Sequence, residues 1–199
     1  MERTRNGRRR AQTRADLLAA ARRVFAARGY HDAGIAEITA EAEVGVGTFY
    51  LHFRDKDELL TVFLQEGLGA LRERIVAAVA TQPDARPIPL ALRTIFDFAY
   101  EERDLFTIAL LGTGRVGPAL SARADLAAYL TVVLAEAAAN GRLPGYDAPL
   151  LARLLTGLVA QGILWWLEQA DNPTPDPAGM TDQVLRLLRE GLPGELVGA

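Results

Sequence analysis

Apolar residues in this 199-residue chain recur at three- and four-residue intervals almost from end to end, and proline or glycine clusters cut the pattern into helix-sized lengths. No alternating period-two pattern competes and no internal repeat stands out, so the expected fold is all-α. Thr13-Arg-Ala-Asp16 reads as a capping box opening a first helix, whose stripe Leu17, Ala21, Val24 and Phe25 ends at Gly29. A short second helix over about residues 35 to 42 places Ile38 and Ala42 on one face. Val44-Gly45-Val46-Gly47 is a turn, and Thr48 to Phe53 form a third helix of scarcely two turns. Asp55 and Glu58 cap a long fourth helix through about residue 80. Beyond Pro83 to Pro87 the same spacing predicts helices bearing Leu92 to Tyr100, then over about 104 to 111, 119 to 140 and 147 to 170, and a last one with Val184, Leu185, Leu187 and Leu188.

The stretch GVGTFYLHFRDKDELL, residues 45 to 60, packs two glycines, three aromatics and a histidine into nine positions. A short helix, a tight glycine-containing turn and a second short helix make a helix-turn-helix, whose second helix suits a major groove roughly 12 Å wide. Gly45 and Gly47 permit close approach to a duplex, and Gly45 sits at the cap position. Thr48 and Tyr50 carry hydroxyls for phosphate oxygens or base edges, while His52 and Lys56 bring nitrogens to the same side. Phe49 and Phe53 are the inward anchors of a small three-helix core. The same residue types also fill ordinary helix junctions, so the pattern alone leaves DNA binding and plain packing both open.

Charge adds to the first reading. Residues 1 to 30 hold nine arginines against Glu2 and Asp16, a net of +7, which leaves −10 on the other 169 residues of a chain whose total is −3. A basic arm on an acidic body seeks phosphate at one end and repels it at the other; a solubilising tail would carry the same charge. The chain has no cysteine and two histidines, His31 and His52, which excludes thiol nucleophiles, cysteine-ligated metal and histidine clusters and fits a reducing cytoplasm. The basic first residues lack a signal peptide's apolar core, and no apolar stretch is read as reaching the roughly 18 residues that span a membrane. A soluble cytoplasmic protein without metal or cofactor is expected.

Residues 25 to 60, FAARGYHDAGIAEITAEAEVGVGTFYLHFRDKDELL, resemble the DNA-binding end of the TetR family of bacterial transcriptional regulators. The match runs through Phe25, Gly29, Ile38, Ala42, Val44, Gly47, Thr48, Phe49, Tyr50, His52, Phe53, Lys56 and Leu59, and it covers about residues 10 to 60. The resemblance implies an N-terminal three-helix DNA-binding domain (1–55, with a basic N-terminal arm) joined by a long helix to a C-terminal helical domain (56–199) that binds effector and dimerises. It implies a homodimer on a near-palindromic double-stranded operator, an internal ligand pocket, and dimerisation through the last two long helices. Val46, Gly47 and Tyr50 match positions that face bases, and Thr48, His52 and Lys56 match positions on phosphates. Arg9 and Arg10 belong to the arm, which is expected to reach an adjacent groove. Two departures stand out: Gly34-Ile35 replaces a common threonine pair, and Glu43-Val44-Gly45 replaces a common Gly-Val-Ser turn. Fewer hydroxyls remain to grip DNA, which shifts weight to thymine-methyl contact by Val46.

In the second half, Phe96, Tyr100, Phe106, Leu110, Tyr129 and Trp165 are candidate linings for a small apolar effector, although aromatic stripes at helical spacing also make solid core. Arg103, Arg115 and Arg123 are candidates for a carboxylate or phosphate at the pocket mouth, or for a solvated face. Residues 147 to 170 are apolar on more than one face, so Leu154, Leu158 and Trp166, with Val184, Leu187 and Leu188, are assigned to a dimer interface. Gly112-Thr-Gly114-Arg-Val-Gly117 matches a dinucleotide fingerprint literally but lacks the strand that motif requires. An acid-base enzyme would need inward-facing paired carboxylates, whereas Glu101, Glu102 and Asp104 cluster at a helix end. The leading expectation is a ligand-responsive repressor and not an enzyme; the alternative is a helical small-molecule or lipid-binding protein without operator binding.

Overall fold

The computed structural model describes residues 2–82, 86–110, 128, 130–132, 134–136, 138–141, 144–169 and 175–191. Regular structure among them is entirely helical: α1 (Glu2–Asp32), α2 (Ile35–Glu41), α3 (Val46–Tyr50), α4 (Lys56–Thr81), α5 (Pro87–Glu101), α6 (Arg103–Leu110), α7 (Ala148–Leu167) and α8 (Pro177–Glu190). Helical residues between 128 and 139 belong to the helix expected over about 119 to 140, which stops at Gly141 in the left-handed region (φ 71°). Tyr129, Arg115, Arg123 and the Gly112–Gly117 fingerprint lie outside the described residues.

The chain forms two compact units. One holds residues 1–67 and 104–122; the other holds 68–103 and 123–199, so the divide falls within α4 and at the start of α6. In the first unit, α1 begins eleven residues before the expected capping box. The Thr13 hydroxyl donates back to the Arg9 carbonyl (3.0 Å), and the Asp16 carboxylate accepts from Gln12 (2.8 Å). The Thr-x-x-Asp pattern is thus satisfied inside a helix, because side chains four apart face one another there as readily as a cap faces its first turn. The expected end at Gly29 is a break (φ 78°, ψ 163°), a conformation essentially restricted to glycine, after which one more turn runs to Asp32. Leu17, Phe25, Ile38, Phe49, Phe53, Leu59, Leu60 and Leu64 form the buried core of this unit. Close approach of α6 requires Gly67: a Cβ there would lie 2.6 Å from both terminal carbons of Leu105.

In the second unit α5 packs along α8, with Leu92, Phe96, Phe98 and Ala99 facing inward on one and Met180, Thr181, Val184 and Leu185 on the other. Asp147 caps α7 by accepting from the Leu150 N–H (2.7 Å), and Asp176 caps α8 through the Gly179 N–H (2.8 Å). Capping sets the register of α7: Ala148, Ala152, Thr156, Ile163 and Trp166 are buried, while Leu150, Leu154 and Trp165 form an exposed stripe. This helix is 20 residues long and apolar enough, by length and composition, to cross a membrane. That corrects the expectation that no stretch reaches spanning length, since Arg153 and Gln161 interrupt the sequence without lowering the average enough. Within the chain 22% of its most apolar window is buried, on the face that carries Ala148, Ala152, Thr156, Ile163 and Trp166.

The register also corrects part of the expected dimer interface. Trp166 and Val184 are inside the chain, whereas Leu154, Leu187 and Leu188 are exposed and Leu158 is half-buried. Trp165, expected in the pocket, is the outward tryptophan of the pair, 46% exposed against 0% for Trp166. A helix apolar on all sides carries no periodic signal to choose between neighbours.

Glu43 holds the turn after α2 in the left-handed region (φ 55°), where non-glycine residues are strained by about 1–2 kcal/mol. It does so because its N–H donates to Ala40 O (3.1 Å) and the Val44 N–H to Thr39 O (2.9 Å), which closes the end of α2. Glu43→Gly should therefore raise unfolding stability by about 1 kcal/mol in chemical denaturation. An unchanged or lower stability would show that the strain is relieved in some other way.

Candidate nucleic-acid interface

The helix-turn-helix is built on one anchor. Gly45 takes the cap position of α3 in extended conformation (φ −73°, ψ 149°), and its carbonyl accepts from the Thr48 N–H at 2.8 Å. Phe49 then points inward, fully buried, with its ring 5.7 Å from that of Phe53. On a helix of this pitch, burial of Phe49 turns the neighbouring positions outward. Val46 (47% exposed) and Tyr50 (57%) are four apart on one face, and nothing crowds a Cβ built at Gly47. Thr48 is half-buried at the edge of that face. Leu51 is 69% exposed and joins the same surface; sequence reasoning passed over it because a leucine reads as core.

Basic side chains border α3. Arg10 donates to the Leu51 carbonyl at 3.3 Å, which ties the first turns of α1 to the end of the recognition helix. Arg14 stacks over the Phe53 ring, its guanidinium carbon 5.7 Å from the centroid, and pairs with Glu66 at 2.7 Å. Arg8 and Arg9 are exposed, and no ion pair engages either among the described residues. His52 lies half-buried within this set. Burial first, then the cations of Arg10 and Arg14, hold its imidazole below the ordinary value, so it is uncharged at neutral pH.

Lys56, expected on a phosphate, is employed otherwise. Its ammonium donates to the carbonyls of Tyr30 (2.7 Å), Ala33 (2.8 Å) and His31 (3.2 Å) and sits 4.5 Å from the Tyr30 ring centroid. Three donors meet three carbonyls that the end of α1 leaves without helical partners. Beside it the Tyr30 hydroxyl donates to the Asp57 carboxylate. The motif showed a lysine at the right place in the chain, but not that the break at Gly29 would turn carbonyls toward it.

In the second unit Phe96 is fully buried and Tyr100 half-exposed, with the Tyr100 ring 5.5 Å from Trp166. Phe106 and Leu110 belong to the first unit, buried and half-buried respectively. The Trp166 indole N–H is buried and finds no acceptor among the described residues, an arrangement that costs about 1–3 kcal/mol when a donor leaves water. Arg103 stands beside it, its guanidinium carbon 6.0 Å from the Trp166 ring.

Two outcomes test this arrangement. Lys56→Met should lower stability by about 1–3 kcal/mol while leaving the salt dependence of DNA binding unchanged; a slope shallower by about 0.9 per protomer would put the ammonium on a phosphate. For His52, the unfolded chain binds the proton more readily than the folded one, so folding stability should fall as pH drops through the ordinary histidine range. A nearby phosphate acts in the opposite direction, so DNA affinity should rise over the same range. His52→Gln should flatten both dependences, and a pH profile of DNA binding identical to wild type would remove His52 from the interface.

Residues 17–63 match the family model described as "Bacterial regulatory proteins, tetR family". The chain is 30% identical over 193 residues to the HTH-type transcriptional regulator YdgC of Bacillus subtilis (strain 168), covering 91% of this chain and 93% of that protein. It is 24% identical over 183 residues to the fatty acid metabolism regulator protein of the same organism, covering 88% and 93%. The crystal structure of FadR from Bacillus subtilis in complex with stearoyl-CoA superposes with a TM-score of 0.78 at 22% identity, over 90% of this chain and 99% of that one. With the anchored recognition helix and its basic border in place, these matches over nearly the whole chain establish that the protein belongs to the TetR family of bacterial transcriptional regulators.

Proposed function

We infer that the protein is a ligand-responsive, homodimeric repressor that binds a palindromic operator in the cytoplasm and releases it when a small, largely apolar effector occupies its second half. The observation that carries this reading is α3, whose Val46, Gly47 and Tyr50 face outward on a helix anchored by Phe49 and bordered by Arg9 and Arg10. Val46 and Leu51 supply apolar contact for thymine methyl groups, Tyr50 a hydroxyl for a base edge or phosphate, and Thr48, His52 and the arginines contacts to the backbone. In this reading residues 1–55 are the DNA-binding domain and 56–199 the effector and dimerisation domain.

Dimerisation is supported by the apolar stripe Leu150, Leu154 and Trp165 on α7 and by Leu187 and Leu188 on α8, an exposed set that a second copy would cover. Gly157 lies in the same stripe and leaves open space, which lets a partner helix approach closely. Release follows from coupling: an effector that favours a state whose two recognition helices no longer match half-sites one helical turn apart, about 34–36 Å, lowers operator affinity by the same factor by which operator lowers effector affinity.

Selection of bound fragments from random duplex DNA at physiological salt should return a palindrome with half-site centres about one helical turn, or a multiple, apart. Leu154→Asp should yield a monomer that binds this sequence far more weakly. Recovery of no motif would overturn the operator reading, and a stable dimer in the variant would move the interface elsewhere.

A further inference from the structure

In the second unit one buried hydrogen-bond donor has no acceptor among the described residues, and a cation stands over the ring that carries it. The Trp166 indole N–H is buried without an acceptor, and Arg103, half-buried over the same ring, makes no ion pair among the described residues. Of the carboxylates near Arg103 in sequence, Glu101 pairs with Arg74 and Asp104 with Arg22. A cation beside a neutral donor that lacks an acceptor is complementary to an oxygen-bearing group, and the fork of a guanidinium suits a carboxylate best. Around them the surfaces are apolar: the rings of Trp166 and Tyr100 lie 5.5 Å apart, and Phe96 and Ile163 are buried. Tyr100 is half-exposed, so its ring is the side of this cluster that faces solvent.

We propose that Trp166 and Arg103 are the polar anchor of the effector site, and that the effector is an acyl compound: an apolar tail whose carboxylate or thioester oxygen accepts from the Trp166 indole N–H and the Arg103 guanidinium. The inference rests on the ligand-responsive reading above and narrows its apolar effector to one with an acceptor head. It also gives the two tryptophans different work, Trp166 toward the ligand and Trp165 toward the partner subunit.

The test is calorimetric titration of the full chain with straight-chain carboxylates of graded length, the matching primary alcohols, and the coenzyme A thioester of the length that binds best. Each titration is paired with release of the selected operator. The expected result is that acyl probes bind and release operator, and that Trp166→Phe and Arg103→Gln each weaken them about tenfold or more while weakening the alcohols, which offer one neutral acceptor, much less. Arg103→Lys should restore part of the loss. Tighter binding of the thioester than of the free acid would identify the source of the acyl group, with both variants still weakening it. Trp166→Phe keeps a ring in the core and Arg103 is only half-buried, so the two variants report independently of any one fold defect. Acyl binding unchanged in both variants, or alcohols binding and releasing operator as well as acids, would overturn the anchor while leaving a ligand-responsive regulator. If no probe binds and operator affinity responds to none of them, the anchor is overturned; operator release by some unrelated small molecule would then separate that failure from a failure of the ligand-responsive reading.

Discussion

The joint between α1 and α4 governs what the DNA-binding end can present. Gly29 breaks α1, and the carbonyls of Tyr30, His31 and Ala33 converge on the single ammonium of Lys56, the first residue of α4. Residues 34 to 55, which contain the whole helix-turn-helix, are therefore a loop whose two ends are clamped to each other. Clamping removes much of the freedom that two helices of seven and five residues would otherwise keep, since neither is long enough to persist alone. The Tyr30–Asp57 hydrogen bond and the position of Lys56 over the Tyr30 ring close the same joint from its other side. Orientation of the recognition helix thus depends on α4, a helix that runs on into the second unit.

Electrostatics at this end are more selective than the net charge suggests. Of the nine arginines in the first thirty residues, Arg14, Arg22, Arg23 and Arg28 pair with Glu66, Asp104, Glu41 and Glu37. Those pairs are largely exposed and each adds little stability, but they cancel charge that would otherwise count toward phosphate. Among the described side chains, positive charge without an ion pair is concentrated at Arg8, Arg9 and Arg10, of which Arg10 reaches the end of α3. The long-range field of a basic end draws a protein toward DNA, whereas arginines already paired with carboxylates contribute little to direct phosphate contact.

Legibility differed by element for physical reasons. Phe49 and Phe53 were readable as anchors because in a helix of scarcely two turns only one face can be buried. The cap of α4 was readable because the Asp55 side chain accepts from the Glu58 N–H and Glu58 reaches back to the Arg54 N–H, contacts made within four residues. The start of α1 is not legible in the sequence because Thr13 and Asp16 find equally good partners one turn earlier. Lys56 was assigned to DNA because its carbonyl partners come from a helix end more than twenty residues away.

The sequence by itself determined the all-α fold, the order of the helices, the family, and the outward set Val46, Gly47 and Tyr50, since each follows from local periodicity, capping and a compact motif. The tertiary structure alone decided which tryptophan is buried, which leucines of α7 and α8 are left exposed, where Lys56 spends its donors, and that Arg103 stands over the ring of Trp166, whose N–H has no acceptor among the described residues. Those outcomes depend on how one helix is rotated against another. In α7, apolar on every side, no residue pattern encodes that rotation; it is set by the Asp147 cap and by what the small residues Ala148, Ala152 and Thr156 allow to pack against them.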